Sequence, residues 1–125
     1  MKTFIVVAAS LLEIVVGITF IAVPDFPCRL LFAATPESLA ILFARFAGVG
    51  LLALGISCLP SKQSEPRRGA VLGLLVFNVG ATLFCAWVAV ATQFRGILLW
   101  PVVDLHAVIA AALLPQFLTK GSLPR

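Results

Sequence analysis

Residues 5–23 read IVVAASLLEIVVGITFIAV, and Glu13 is the only charged residue among them. A run this long and apolar matches a helix crossing a hydrocarbon core of ~30 Å, which takes about 20 residues. Three more runs of that kind follow, so that the spans read 4–23, 39–59, 69–91 and 97–118. The chain is 62% hydrophobic and 11% charged over 125 residues. A soluble domain of that size has too much surface for its volume to hide so much apolar area. In lipid the backbone must satisfy its own hydrogen bonds, so the spans are helices and not sheet. The expected fold is therefore all-α, a single up-down-up-down bundle of four transmembrane helices with no soluble domain beside it. A cleaved signal peptide is a poor reading of the first run: it is long for one, it carries Glu13, and VPDFPC at 23–28 has no small-x-small cleavage site.

The rest of the chain punctuates these spans. PDFPCRLLFAATPE at 24–37 reads as an outer loop with a short interfacial turn, Leu30, Leu31 and Phe32 dipping into lipid while Arg29 reaches the headgroups. Pro36 and Glu37 open the second span, and SKQSEPRRG at 61–69 is the hydrophilic loop between spans two and three. Trp100 sits at interface depth. Lys2, Lys62, Arg67, Arg68, Lys120 and Arg125 fall on one side of the membrane, Arg29 and Arg95 on the other. The positive-inside rule then puts both termini in the cytoplasm. The net charge of +4 is mostly this bias, and no basic stripe with interleaved aromatics points to nucleic acid. Cys28, Cys58 and Cys85 are scattered with no CxxC, which argues against a disulfide relay or a thiolate metal site.

Glu13 is one member of a polar layer. Counted at about 1.5 Å per residue from the outer span ends, Glu13 and His106 both lie ~14–15 Å deep, with Asn78 a little deeper. Arg45 and Asp104 lie at ~9–11 Å. An unpaired Arg or Asp there costs about 2.5–3.5 kcal/mol on insertion scales, so pairing across the bundle is expected, Arg45 meeting Glu13 or Asp104. With both acids ionised and His106 neutral, Glu13, Arg45 and Asp104 sum to minus one, and one titratable proton is expected in the group. Helical spacing puts Ala9, Ser10, Glu13 and Gly17 on one stripe, Arg45, Gly48, Leu52 and Gly55 on another, and Asn78, Ala81, Thr82, Cys85 and Ala89 on a third. Asp104 and His106, two residues apart, are ~200° apart around their helix. Either one points away from the bundle, or Ala107, Ala110 and Ala111 face inward and the two flank them; the second is expected, because small residues allow close packing. Such a cluster either fixes helix register or carries a function. Gly69, Gly73 and Gly80 form a separate small-residue groove on span three, with Val76 and Trp87, suited to a homodimer or partner helix or else to the bundle's own span two or four.

The order of LLEIVVGITFIAVP (11–24), RLLF (29–32), ARFAGVGLLALGISCLP (44–60), RRGAVLGLLVFNVGA (67–81) and LLWPVVDLHAVIAAALL (98–114) resembles small bacterial four-helix membrane proteins grouped as DoxX-like. The resemblance covers roughly residues 4–114 and implies a four-helix fold. Its motifs fall on Glu13, Arg45 with Gly48, Asn78 and His106; Asp104 is outside the pattern. Some DoxX-like proteins are accessory membrane subunits associated with thiosulfate:quinone oxidoreduction or oxidative-stress complexes. The functional expectation is accordingly a non-catalytic accessory or partner-binding subunit in a homodimer or larger membrane complex. SLLEIVVG at 10–17 is also similar to the first span of small multidrug resistance transporters, which makes a proton-coupled transporter using Glu13 the alternative. A quinone- or lipid-handling membrane enzyme with His106 as acid–base group is the third, and a quinone or lipid is the bound group it brings. No cofactor motif or metal-ligand set occurs in the sequence.

Overall fold

A computed structural model describes residues 2–60 and 67–119. Every regular element among them is a helix: α1 (Lys2–Ala22), α2 (Asp25–Phe32), α3 (Ser38–Cys58), α4 (Arg68–Ala91) and α5 (Leu99–Thr119). α1, α3, α4 and α5 are each long and apolar enough to cross a membrane. Proline sets several boundaries. Pro24 follows the end of α1, Pro36 precedes the extended Glu37 that opens α3, and Leu59, extended before Pro60, closes it. Pro101 lies in the first turn of α5, where its missing N–H does least harm; Pro115 lies inside the helix near its end. Six residues of the hydrophilic loop, 61–66, and the basic residues Lys62, Lys120 and Arg125 lie outside the described residues.

The four long helices form two tight pairs. α1 packs antiparallel on α3 with backbones in near contact. A Cβ on Gly17 would stand 2.6 Å from the Leu52 nitrogen, one on Gly48 would stand 2.7 Å from the Gly17 carbonyl, and one on Gly55 would stand 2.6 Å from the Ser10 carbonyl. Lipid tails are as apolar as the helices, so close van der Waals contact through small residues is the main force available here. α4 packs on α5 as the second pair, and contact between the pairs is sparser. α1 touches both α3 and α5, as α4 does, which leaves α3 and α5 across a diagonal.

Two apolar clusters lie at opposite ends of the bundle, the first drawing on both pairs and the second on α4 and α5, with Phe32 of α2 against it. Val6, Ala9, Cys58, Val71, Leu74 and Leu113 form the one near the N-terminus. Cys85, Val88, Ala89, Leu99 and Val103 form the other. The outer surface carries large apolar side chains throughout, Phe46 at 77% exposure and Val108 at 67% among them, as a lipid-facing surface does.

The expected interfacial turn at RLLF is a full helix, α2, and it faces the other way. Pro27 and Cys28 are buried, and Leu31 and Phe32 help wall an internal cavity instead of dipping into lipid. The reason is main-chain bonding: the Gly96 and Leu98 N–H groups donate to the Leu31 and Leu30 carbonyls at 3.1 and 2.9 Å. α2 is thereby clamped to the α4–α5 loop across the end of the bundle. Its last carbonyls are capped by Ala33 in the left-handed region at φ 53°.

Candidate functional site

Between the two apolar clusters the polar residues of α1, α4 and α5 meet. The α1 stripe is as expected: Ala9, Ser10, Glu13 and Gly17 are all buried, Glu13 to 1% exposure. On α4, Asn78 is fully buried. Its Nδ2 donates to the Leu74 carbonyl one turn back at 2.8 Å, which turns Oδ1 toward α5. There His106 Nδ1 lies 2.8 Å away. Because Oδ1 can only accept, Nδ1 is the donor, the imidazole is held as its Nδ1–H tautomer, and Nε2 keeps its lone pair. Phe77 meets the imidazole edge to face, centroids 5.7 Å apart. The Thr82 hydroxyl donates to the Asn78 carbonyl at 2.8 Å.

Glu13 differs from these residues: its Oε1 is buried and has no hydrogen-bond partner, as is the Oγ of Ser10 three residues before it. Both belong to one stripe of α1, and a buried polar atom without a partner costs about 1–3 kcal/mol. Glu13 and His106 line the same cavity of about 690 Å³, otherwise walled by apolar side chains such as Val16, Leu51, Leu54, Phe77 and Leu105. It opens sideways between α3 and α4, where Gly50, Val76 and Gly80 are at once cavity wall and outer surface. A second cavity of about 920 Å³ lies toward the α2 end and shares Phe20, Phe32, Ala47 and Phe84 with the first. The site is a lipid-accessible, nearly apolar recess, with a carboxyl group and an oriented imidazole among its lining residues.

Two members of the expected cluster are elsewhere. Arg45 is exposed on the outer surface of α3 and does not pair with Glu13. The α1–α3 seam is centred on Gly48 and Gly55, and Arg45 stands about 60° around the helix from Gly48, on the side away from the cavity. Asp104 is exposed as well, and the alternative set aside for α5 is the observed one. His106 turns in to Asn78, so Asp104, ~200° away, must turn out. Ala110 is buried, but Ala107 and Ala111 are exposed beside Asp104. Within the bundle the ionisable group thus reduces to Glu13 and His106. The glycine groove is divided: a Cβ on Gly73 would stand 3.6 Å from the Leu54 side chain of α3, Gly80 lines the cavity mouth, and Gly69 and Gly80 have open space above them. Among the described residues no group of three or more His, Cys, Asp or Glu side chains could hold a metal ion. Phe77 and the Leu74 carbonyl complete the site; the role of a main-chain carbonyl leaves no sequence signal.

Comparison with family models, with curated proteins and with solved structures finds no match for this chain.

Proposed function

We propose that this small multi-pass membrane protein binds a lipid-soluble molecule carrying a hydrogen-bonding polar group, in the recess between its two helix pairs. The observation that carries the reading is the unpartnered Glu13 Oε1, buried in the wall of an apolar cavity open to lipid. Sequences spend stability on such a group where it serves a function, and intramembrane ionisable residues mark ligand or proton pathways. The apolar wall suits the ligand's body, Glu13 and the free Nε2 of His106 suit its polar end, and entry is lateral from the bilayer. A quinone or a lipid has this chemistry. In this reading both termini lie in the cytoplasm of a bacterial inner membrane and the chain is DoxX-like; the four-helix architecture accords with it. The test is organic extraction of the purified protein followed by mass spectrometry. A stoichiometric apolar compound that disappears in Glu13→Leu supports the reading; an extract of bulk phospholipid, unchanged in Glu13→Leu, defeats it.

An accessory subunit that seats a partner's helix is the second reading, favoured by the open space above Gly69 and Gly80 beside the cavity mouth. A protein chain co-purifying in fixed ratio, and lost in Gly80→Leu, would favour it over a small ligand. Proton-coupled transport using Glu13 would instead show as proton release when a substrate is added.

A further inference from the structure

Arg45 and Asp104 present the strongest unexplained feature of the outer surface. Both are exposed, neither has a hydrogen bond or ion pair among the described residues, and neither belongs to the cavity. α3 and α5 run in the same direction. Arg45 is seven residues into α3 from Ser38 and Asp104 five into α5 from Leu99, which puts them about 10 Å and about 8 Å below the outer helix ends. An opposite pair of charges at one level of the hydrocarbon layer, on helices across the diagonal of one bundle, cannot close within the chain. It closes between chains that stand in the same orientation.

We infer that the chain assembles with copies of itself in the membrane, the α3 face of one copy against the α5 face of the next, Arg45 pairing with Asp104 across the contact. The surfaces around the two charges fit. On α3, Leu42, Val49 and Ile56 project beside Arg45 as large exposed side chains. On α5, Asp104 continues into exposed Ala107 and Ala111, one and two turns further in, a small-residue stripe bordered by exposed Trp100 and Val108, between which such knobs can seat. Low dielectric and the absence of competing water favour a bidentate Arg–carboxylate contact there. Because the two faces are at opposite corners, the contact is heterologous: each copy offers Arg45 to one neighbour and Asp104 to the other. Repetition by rotation about the membrane normal keeps the charges level and gives a ring where the rotation closes and an open row where it does not, but not a two-fold dimer.

The test uses the full chain, fluorescently labelled and reconstituted in phosphatidylcholine–phosphatidylglycerol vesicles, with copies counted by single-molecule photobleaching. The wild-type chain is expected as a multimer. Arg45→Asp and Asp104→Arg, each placing like charges together, should each lower the multimer fraction at least tenfold, and both changes in one chain should restore it. A wild-type chain that is monomeric at every protein-to-lipid ratio overturns the inference, Arg45 then reaching only to the headgroups. So does a multimer indifferent to the single reversals, or a combined variant with wild-type helical content by circular dichroism that stays monomeric. A second measurement needs no charge reversal. Chains with Cys28, Cys58 and Cys85 replaced by Ala, one bearing Val49→Cys and a differently tagged one bearing Ala107→Cys, so that Arg45 and Asp104 are kept, are co-expressed and treated with a short bis-maleimide. Cross-linking between the two tags supports the contact, and its absence rules the contact out.

Discussion

Asn78 and His106 are joined across the α4–α5 pair by a hydrogen bond of 2.8 Å, and the direction of that bond is set by the one Asn78 makes to Leu74. With Nδ2 committed to the Leu74 carbonyl, Oδ1 faces the imidazole and Nδ1 must carry the proton. Nitrogen-15 NMR of labelled protein should show a protonated Nδ1 and an unprotonated Nε2 in the neutral ring, and Asn78→Ala should release the mixture of tautomers. A double-mutant cycle of Asn78→Ala with His106→Ala should give a coupling of about 0.6 kcal/mol, the average for interhelical bonds in membranes, and no more than about 1.7 kcal/mol. A predominantly Nε2-protonated ring in the unaltered protein would mean that the Asn78 amide is oriented the other way.

Glu13 and Arg45 are predicted to be energetically independent. Glu13 is buried without a partner and Arg45 is exposed on another helix face. In detergent the cycle of Glu13→Gln with Arg45→Met should give a coupling under about 0.5 kcal/mol, the ordinary scatter for separated sites. Glu13→Leu should raise thermal stability by about 1–3 kcal/mol, since it replaces an unsatisfied buried carboxyl with a side chain that suits its surroundings. Ligand retention should fall in the same variant, a trade of function for stability. Rescue of Glu13→Gln by Arg45→Met would show a pairing that this arrangement does not contain.

The sequence made the spans legible because each is a long apolar run interrupted by prolines. The observed ends lie within two residues of the expected ones, as at Ala22 against Val23 and Leu99 against Ile97. Glu13, Asn78 and His106 were legible as well, all three by depth and Glu13 also by a stripe whose other members are small and buried. Arg45 was not, because a stripe is a sector about a hundred degrees wide, and only the neighbour's position tells its middle from its edge. Gly48 and Gly55 occupy the middle against α1, which pushes Arg45 out. For Asp104 and His106 the two-residue spacing says that both cannot turn inward, and only the presence of Asn78 opposite decides between them. The docking of α2 was invisible for a different reason: it rests on main-chain bonds from Gly96 and Leu98, which no side-chain pattern reports.

The α1–α3 seam should be intolerant of a single methyl group. Gly17→Ala or Gly55→Ala drives a Cβ against backbone atoms of the facing helix and should cost about 1–3 kcal/mol as the pair is levered apart. Gly50→Ala is the control: nothing lies within 4 Å of its added Cβ, and the gain in helix propensity, up to about 1 kcal/mol, should leave the protein as stable or more so. Thermal unfolding of the three variants in one detergent checks this, and equal losses at Gly17 and Gly50 would contradict the close approach of α1 and α3.

Gly96 should control access to Cys28. A Cβ at Gly96 would fall directly on the backbone of Leu30 and Leu31, so Gly96→Ala should break the two main-chain bonds that clamp α2 to the α4–α5 loop. Cys28 sits under that clamp at 8% exposure, and burial first, then the neighbouring Asp25 carboxylate, pushes its thiol pKa up. A raised pKa means less thiolate at a given pH, and the thiolate is the species that alkylates. In a chain with Cys58→Ala and Cys85→Ala, maleimide labelling of Cys28 should therefore be slow at pH 7–8 and should rise only at pH above the ordinary thiol range of about 8.5. Adding Gly96→Ala should speed it at least tenfold at pH 7.5 and move the pH profile down toward that ordinary value, as the burial is lost while Asp25, three residues back on the same helix, stays. Ala33→Gly should act in the opposite sense, relieving the left-handed strain at φ 53°, worth about 1 kcal/mol, and slowing the labelling further. An unchanged rate in Gly96→Ala would mean that α2 is held by its side chains alone.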